Sequence, residues 1–427
     1  MSSVARLAAV LPPIFAGAAL AAPALANVAL SLMLLAALAA PGARNALLRA
    51  PPMWLLAVFL VFCTGALLTV WPAAQRDEDL AAMRDFVQLW WFMPLALWIG
   101  ADDRRALRCL AVAGIVFVLG RLWATDWSAP PWPGGERVRL GFSSINHFAQ
   151  YAAAMAVGLA CFAPRAWQAA RTRAPELRWI GAALWLAAAG LALYWLALSG
   201  SRGVWLAFAI TLAVMLLALG LHCGWRGLAA GIAVGALTAA LIAAVFGEAL
   251  ASRIAADGES RAQVFAGDVA AVGEDALGLR VRMLVTALRL VAEAPLAGHG
   301  PGAVTSLLAR EDGALGAAGF THLHNVFADL LVRVGLLGSA VVHALFAWVA
   351  LAAWAARRRG LMPFDTWLAV SAMLLLALLC NQTDLRLAGW DWRFFWVLVA
   401  GVAVAPALSC GLATWPTRNR NTDVTGA

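Results

Sequence analysis

Long apolar segments recur along the whole chain, each near 20 residues and each bounded by arginine, proline or glycine. Lipid offers no partner to an open backbone N–H or C=O, so such a stretch crosses a bilayer as a helix. The pattern predicts an all-α integral membrane protein with about 12 transmembrane helices. They fall near residues 7–22, 25–41, 52–72, 87–100, 109–124, 147–163, 179–198, 204–221, 228–247, 335–355, 365–381 and 394–411. Hydrophobic residues make up 63% of the 427 and charged residues only 13%. A soluble domain carries about a quarter charged residues, so most of this chain is dissolved in lipid.

The basic residues are all arginine. With no lysine present, a Walker A phosphate loop, a Schiff-base lysine and a Ser–Lys dyad are excluded. The six cysteines are scattered with no CxxC spacing and read as small core hydrophobes. With the N-terminus inside, the cytoplasmic segments collect 16 arginines, Arg357 to Arg359 among them, against 5 acids. That leaves +11 inside and −3 outside, so the positive-inside rule puts both termini in the cytoplasm. Residues 22–26, "APALA", resemble a signal-peptidase site, and cleavage there would leave the remaining topology unchanged.

One segment breaks the rhythm. Residues 248–334 form a long outer loop between nine spans (1–247) and a last part (335–427) with three spans and a cytoplasmic tail. A loop this long, with a predicted amphipathic helix at 278–293 stopped by Pro295, is usually functional. Outer arginines are its strongest chemical signal: Arg280 and Arg282 on that helix, Arg202 in "SGSRG", Arg137 and Arg139 in "GERVRLGF", and Arg76 and Arg84 after the third span. The planar guanidinium fork matches phosphate oxygens. Pairing with outer acids or lipid headgroups is the ordinary alternative for any one of them. Arg202, with no acid within six residues, is the exception. In "PLAGHGPGA", Gly298, Gly300 and Gly302 can present N–H groups to an anion, although helix-ending loops look similar. "DED" at 77–79 reads equally as a metal motif or a solvated acidic loop and stays outside the predicted site.

"HLHN", residues 322–325, suits two chemistries. Alternate residues of an extended segment can share a metal, whereas i and i+2 at a helix start point about 200° apart. Asp329 and Arg333 form an i,i+4 pair that marks a helix just after His324. The start of a helix disfavours a cationic ring and suits a base, while a histidine that merely satisfies a loop is as ordinary a reading. The expectation is a base with its neighbours, the two rings apart.

Taken in order, these motifs resemble the O-antigen ligase and polymerase superfamily, and the O-antigen ligases in particular. The "S-x-S-R-G" turn is matched by Ser199, Ser201, Arg202 and Gly203. The "R-x-x-x-W" helix is matched at Arg280, with Leu284 in place of tryptophan, and "P-x-x-G-x-G-x-G" at Pro295, Gly298, Gly300 and Gly302. "H-N" before "G-L-x-G" is matched by His324, Asn325, Gly335, Leu336 and Gly338, and "R-x-G-F-x-x-x-N" by Arg139, Gly141, Phe142 and Asn146.

The resemblance implies a GT-C-like glycosyltransferase of the bacterial inner membrane with its site on the periplasmic face. It would move O-polysaccharide from an undecaprenyl pyrophosphate donor to a lipid A-core acceptor, with inversion and without a metal or cofactor. His324 would be the base, and Arg202 and Arg280 would stabilise the leaving pyrophosphate. Arg137, Arg139, Arg282, Asn325, Gly298 and Gly300 would bind substrate. Membrane lipids are expected partners and nucleic acid is not. The nearest rival is the O-antigen polymerase, and a protein O-oligosaccharyltransferase is a third sibling. A secondary transporter would show two similar halves and charges at mid-membrane, whereas the suspicious residues here gather in outer loops.

Overall fold

Proline opens Pro23–Ala39, Pro41–Arg49, Pro51–Thr69 and Pro175–Leu198, where its missing N–H leaves nothing unpaired. Side chains cap several others. Asp102 opens Asp103–Ala124, Ser144 opens Ile145–Arg171, Asp275 opens Ala276–Glu293 and Asn325 opens Val326–Arg358. The computed structural model describes residues 3–128, 138–255, 258–268, 271–384 and 389–411. Within them the regular structure is helical throughout, and the several long apolar helices make this a multi-pass membrane protein.

Six of these helices are long and apolar enough to cross a membrane, and a seventh follows if the pair Pro23–Ala39 and Pro41–Arg49, bent by 103°, counts as one span. The expected span at 87–100 is different. It is a short 3-10 turn, Gln88–Trp90, followed by the eight-residue helix Phe92–Ile99. At 1.5 Å per residue that helix is about 12 Å long, far short of the hydrocarbon thickness. It packs inside the protein, against the central helix, and a buried helix is as apolar as a lipid-facing one.

Trp390–Ser409 is that central helix, buried without a break from Phe394 to Leu408. Helices such as Pro51–Thr69 and Pro175–Leu198 instead turn Val61, Leu68, Leu184 and Leu186 outward, the apolar surface that lipid covers. Tryptophan ties the interior together. Trp396 stacks on Trp392 and donates to the Leu89 carbonyl, Trp98 donates to Met33 and Trp90 to Pro52. Four cysteines are buried as expected, while Cys223 and Cys410 are exposed.

The helices of the long loop form a second, smaller core from Met283, Leu290, Val304, Leu308, Leu315 and Leu323, closed by Val332 of the following helix. Helix Ala276–Glu293 is the one predicted at 278–293, begun two residues earlier by its Asp275 cap. The loop meets the bundle where Val326–Arg358 breaks at Gly335, with φ 62° and ψ −169°.

A break leaves carbonyls open on one side and N–H groups open on the other. Residues 295–300 satisfy both. His299 and Gly300 donate to the Val332 and Arg333 carbonyls at 2.9 and 3.0 Å, and Leu336 and Leu337 donate to Pro295 and Leu296 at 2.8 and 3.1 Å. The glycines expected to bind an anion are thereby accounted for differently. The N–H of Gly298 goes to Ala294 and that of Gly300 to Arg333, so neither is presented to a ligand. A Cβ at Gly298 would lie 2.6 Å from the Arg333 carbonyl, and one at Gly335 would overlap that of Leu296. Two glycines at positive φ let two backbones touch.

Candidate active site

Leu323 is the anchor of "HLHN". Its side chain is buried in the loop core, and its N–H donates to Asp329 at 3.1 Å. Asn325 caps the next helix by accepting from the Phe327 and Ala328 N–H groups, both at 3.0 Å, and reaches the Gln382 carbonyl at 3.2 Å. Its side chain is therefore spent on structure. His324 between them has φ 48°, in the left-handed region, so the segment is still irregular there. The helical separation expected for the two histidines does not arise: their ring centroids lie 4.2 Å apart.

Both rings meet Asp384. His324 Nδ1 lies 3.1 Å and His322 Nε2 3.3 Å from its Oδ1, while Asn146 Nδ2 donates to its Oδ2 at 2.8 Å. The Ser201 hydroxyl donates to Asn146 Oδ1 at 2.6 Å. On the other side of Arg202, Gly203 packs against Thr383, and a Cβ there would fall 2.5 Å from its Oγ1. Three motifs distant in sequence thus converge on one buried carboxylate that sequence reading missed. Its signal was an acid in "NQTDLRLAGWDWR", a polar turn between two apolar segments.

A cavity of about 490 Å³ opens here, lined by Asn146, His147, His322, His324, Arg333 and Asp384 among others. Arg333 is buried and ion-pairs with buried Asp329; it also donates to the carbonyls of Pro301 and Thr321, the last at 3.0 Å. Asp79, from the acidic triplet left outside the predicted site, accepts the Gly302 N–H at 2.8 Å and is fully buried. Burial raises its carboxyl above the ordinary carboxylate range, against the opposing pull of the Gly302 bond.

The predicted arginines separate. Arg202 opens helix Arg202–Cys223, half-buried and flanked by the Ser201 and Gly203 just described. Arg282 holds Asp312 with a two-pronged grip at 2.9 and 2.8 Å, and Asp312 caps Gly313–Ala317. Burial alone would raise the Asp312 carboxyl; the Arg282 fork and two backbone N–H groups outweigh it and hold the carboxyl below its usual range. Arg282 is a structural tie in this arrangement. Arg280 lies half-buried two residues earlier and donates to its own helix at Ala276, 2.8 Å away. Arg139 is exposed in a turn closed by the Phe142 N–H, and Arg137 lies outside the described residues.

His322, His324 and Asp384 also form the one group of potential metal ligands found among the described residues, their donor atoms all within 4.8 Å of one another. Two imidazoles and a carboxylate are zinc-type donors. The same spacing serves a hydrogen-bonded pair in which Asp384 orients the rings.

Residues 186–343 match the family model described as O-antigen ligase. This match supports membership in the O-antigen ligase/polymerase superfamily. The matched stretch holds Arg202, Arg280 and His324, while Asn146 and Asp384 come from outside it. No curated protein matches the sequence.

Proposed function

We propose that this protein is an O-antigen ligase, joining O-polysaccharide carried on undecaprenyl pyrophosphate to a sugar hydroxyl of the lipid A core. The observation that carries the proposal is the convergence of the Arg202 turn, Asn146 and His324 on Asp384 at one cavity. With Nδ1–H donated to Asp384, His324 offers its Nε2 lone pair to the acceptor. As the acceptor oxygen attacks the anomeric carbon, its proton passes to Nε2 and the C–O bond to phosphate breaks. The bonding electrons leave on the pyrophosphate, and attack from the opposite face inverts the anomeric centre.

Arg202, next to the Ser201 that holds Asn146, would neutralise the leaving group together with Arg280 from the loop helix; two guanidinium groups supply the charge that a metal supplies elsewhere. A GT-C-like arrangement with about 12 membrane crossings and both termini inside fits this chemistry. The segments that meet around the cavity (77–86, 143–147, 199–203, 321–333, 383–384 and 389–391) all belong to the side the arginine count assigns to the periplasm. Arg165, Asp103 and Asp365, assigned to the opposite side, meet one another instead.

The decisive experiment is the lipopolysaccharide gel pattern of a deletion strain. Loss of all polymer on lipid A while polymer still builds on the carrier is the expected result. A core capped by a single repeat would make the enzyme a polymerase.

A further inference from the structure

A second histidine–aspartate pair stands in the wall of the same cavity, and the mechanism above does not use it. His147 lies one residue after Asn146 on the first turn of Ile145–Arg171 and is 5% exposed. Its Nδ1 lies 2.5 Å from Asp391 Oδ1 and 3.0 Å from the Ser143 hydroxyl. Asp391, at the start of the central helix, is fully buried; it also accepts the Ser143 hydroxyl at 2.7 Å, the Ser143 N–H at 3.1 Å and the Trp392 N–H at 2.9 Å. A carboxylate so placed takes the proton-bearing nitrogen of the ring and leaves Nε2 as an acceptor. Nε2 is buried and has no hydrogen-bond partner among the described residues, although His147 lines the cavity. Gly389 lets the ring sit there, because a Cβ on it would fall 3.0 Å from Nδ1 and overlap Cε1.

We propose that His147 binds a sugar hydroxyl of the glycan substrate through Nε2, with Asp391 and Ser143 as the groups that orient the ring. A buried acceptor without a donor is costly, and a ligand hydroxyl satisfies it. At the His147 ring itself the Asp391 carboxylate disfavours an anion. The titratable lining is Asp85, Asp329 and Asp384 with His322 and His324, and its cation, Arg333, is already paired to Asp329. A cavity of about 490 Å³ is in the size range of small-molecule sites. The proposal rests on the ligase reading, and the hydroxyl belongs either to the donor polysaccharide or to the acceptor core.

Two variants separate binding from structure. His147→Asn keeps a donor toward Asp391 and deletes Nε2, whereas His147→Gln keeps an acceptor near the Nε2 position. With purified full-length enzyme, His147→Asn should raise KM for one substrate about fivefold to tenfold, the worth of one hydrogen bond, with kcat and melting temperature near wild type. His147→Gln should recover part of that loss. A rise confined to the lipid-linked donor assigns the hydroxyl to the donor, and one confined to the core assigns it to the acceptor. If His147→Asn leaves both KM values unchanged while the wild type ligates, the inference is wrong and the ligase reading stands. A wild-type chain that transfers nothing sinks both.

Discussion

The bundle around Trp390–Ser409 and the outer region built from residues 276–334 are held together by different physics. In the bundle, aliphatic and aromatic side chains pack on a helix buried along nearly its whole length, and hydrogen bonds are mostly internal to each helix. In the outer region the apolar core is small, and buried polar ties do much of the ordering: Arg333 with Asp329, Asp79 with Gly302, Arg282 with Asp312, and the glycine loop with both ends of the broken helix. Lipid rewards apolar surface wherever it is placed, so the bundle tolerates change. A polar clasp works only when every donor meets its acceptor. The candidate site lies on the clasped side, where His324 and Asp384 meet.

The coarsest way to break this contrast is topological. Alkaline phosphatase fused after residue 265 should be active and after residue 358 inactive; the opposite pattern would put the clasped region in the cytoplasm and end the ligase reading.

Next in size is His324→Ala, which should lower ligation by about 10²–10⁴ with normal expression, the contribution of a general base. Because His322 shares Asp384, the comparison with His322→Ala carries the weight. A small loss there, with full activity in excess EDTA, fits the base. An equal loss, with chelation abolishing activity and a divalent ion restoring it, would turn the trio into a metal site.

Arg202→Lys should fail nearly as badly as Arg202→Ala in a ligation assay, since a point charge does not reproduce the fork. Wild-type ligation by a well-expressed Arg202→Ala protein would remove this residue from the mechanism. Arg280→Ala should lose most activity. Arg282→Ala should act chiefly on stability, by freeing Asp312.

Gly335→Ala forces a side chain into the left-handed region and against Leu296, so it should cost more than about 2 kcal/mol in thermal unfolding. Gly181→Ala, on a helix face with nothing within 4 Å, should be neutral or gain up to about 1 kcal/mol. Similar melting shifts for the two would erase the distinction between clasp and bundle.

The smallest effect is on pH. Asp312 has its folded pKa lowered, so its contribution is present above the unfolded value of about 3.9 and is lost as pH falls through the lower folded value. Acid unfolding followed in wild type and Arg282→Ala should differ in steepness across that window; superimposable curves would deny the pair a stabilising role.

Membrane class, helix-rich architecture and the helix start just after "HLHN" were legible in the sequence because each depends on local properties: segment length, apolarity, and a capping residue at fixed offset. The 278–293 helix and the Asp329–Arg333 pair were readable for the same reason. What failed was anything set by distant partners. The 87–100 segment reads as one continuous helix, yet it is a 3-10 turn and a short helix covered by the central one. The glycines of 298–302 look like an anion cradle until the broken helix is placed against them. Asp384, at a bend, and Asp391, in the first turn of the central helix, belong to no motif of their own and lie about 60 and 240 residues from the histidines they hold. Hydropathy and periodicity belong to neighbours along the chain, so the sequence alone determined that this protein is a bundle of apolar helices with an outer loop rich in polar groups. Which carboxylate meets which imidazole depends on how those helices pack across the bundle, and only the tertiary structure decided that.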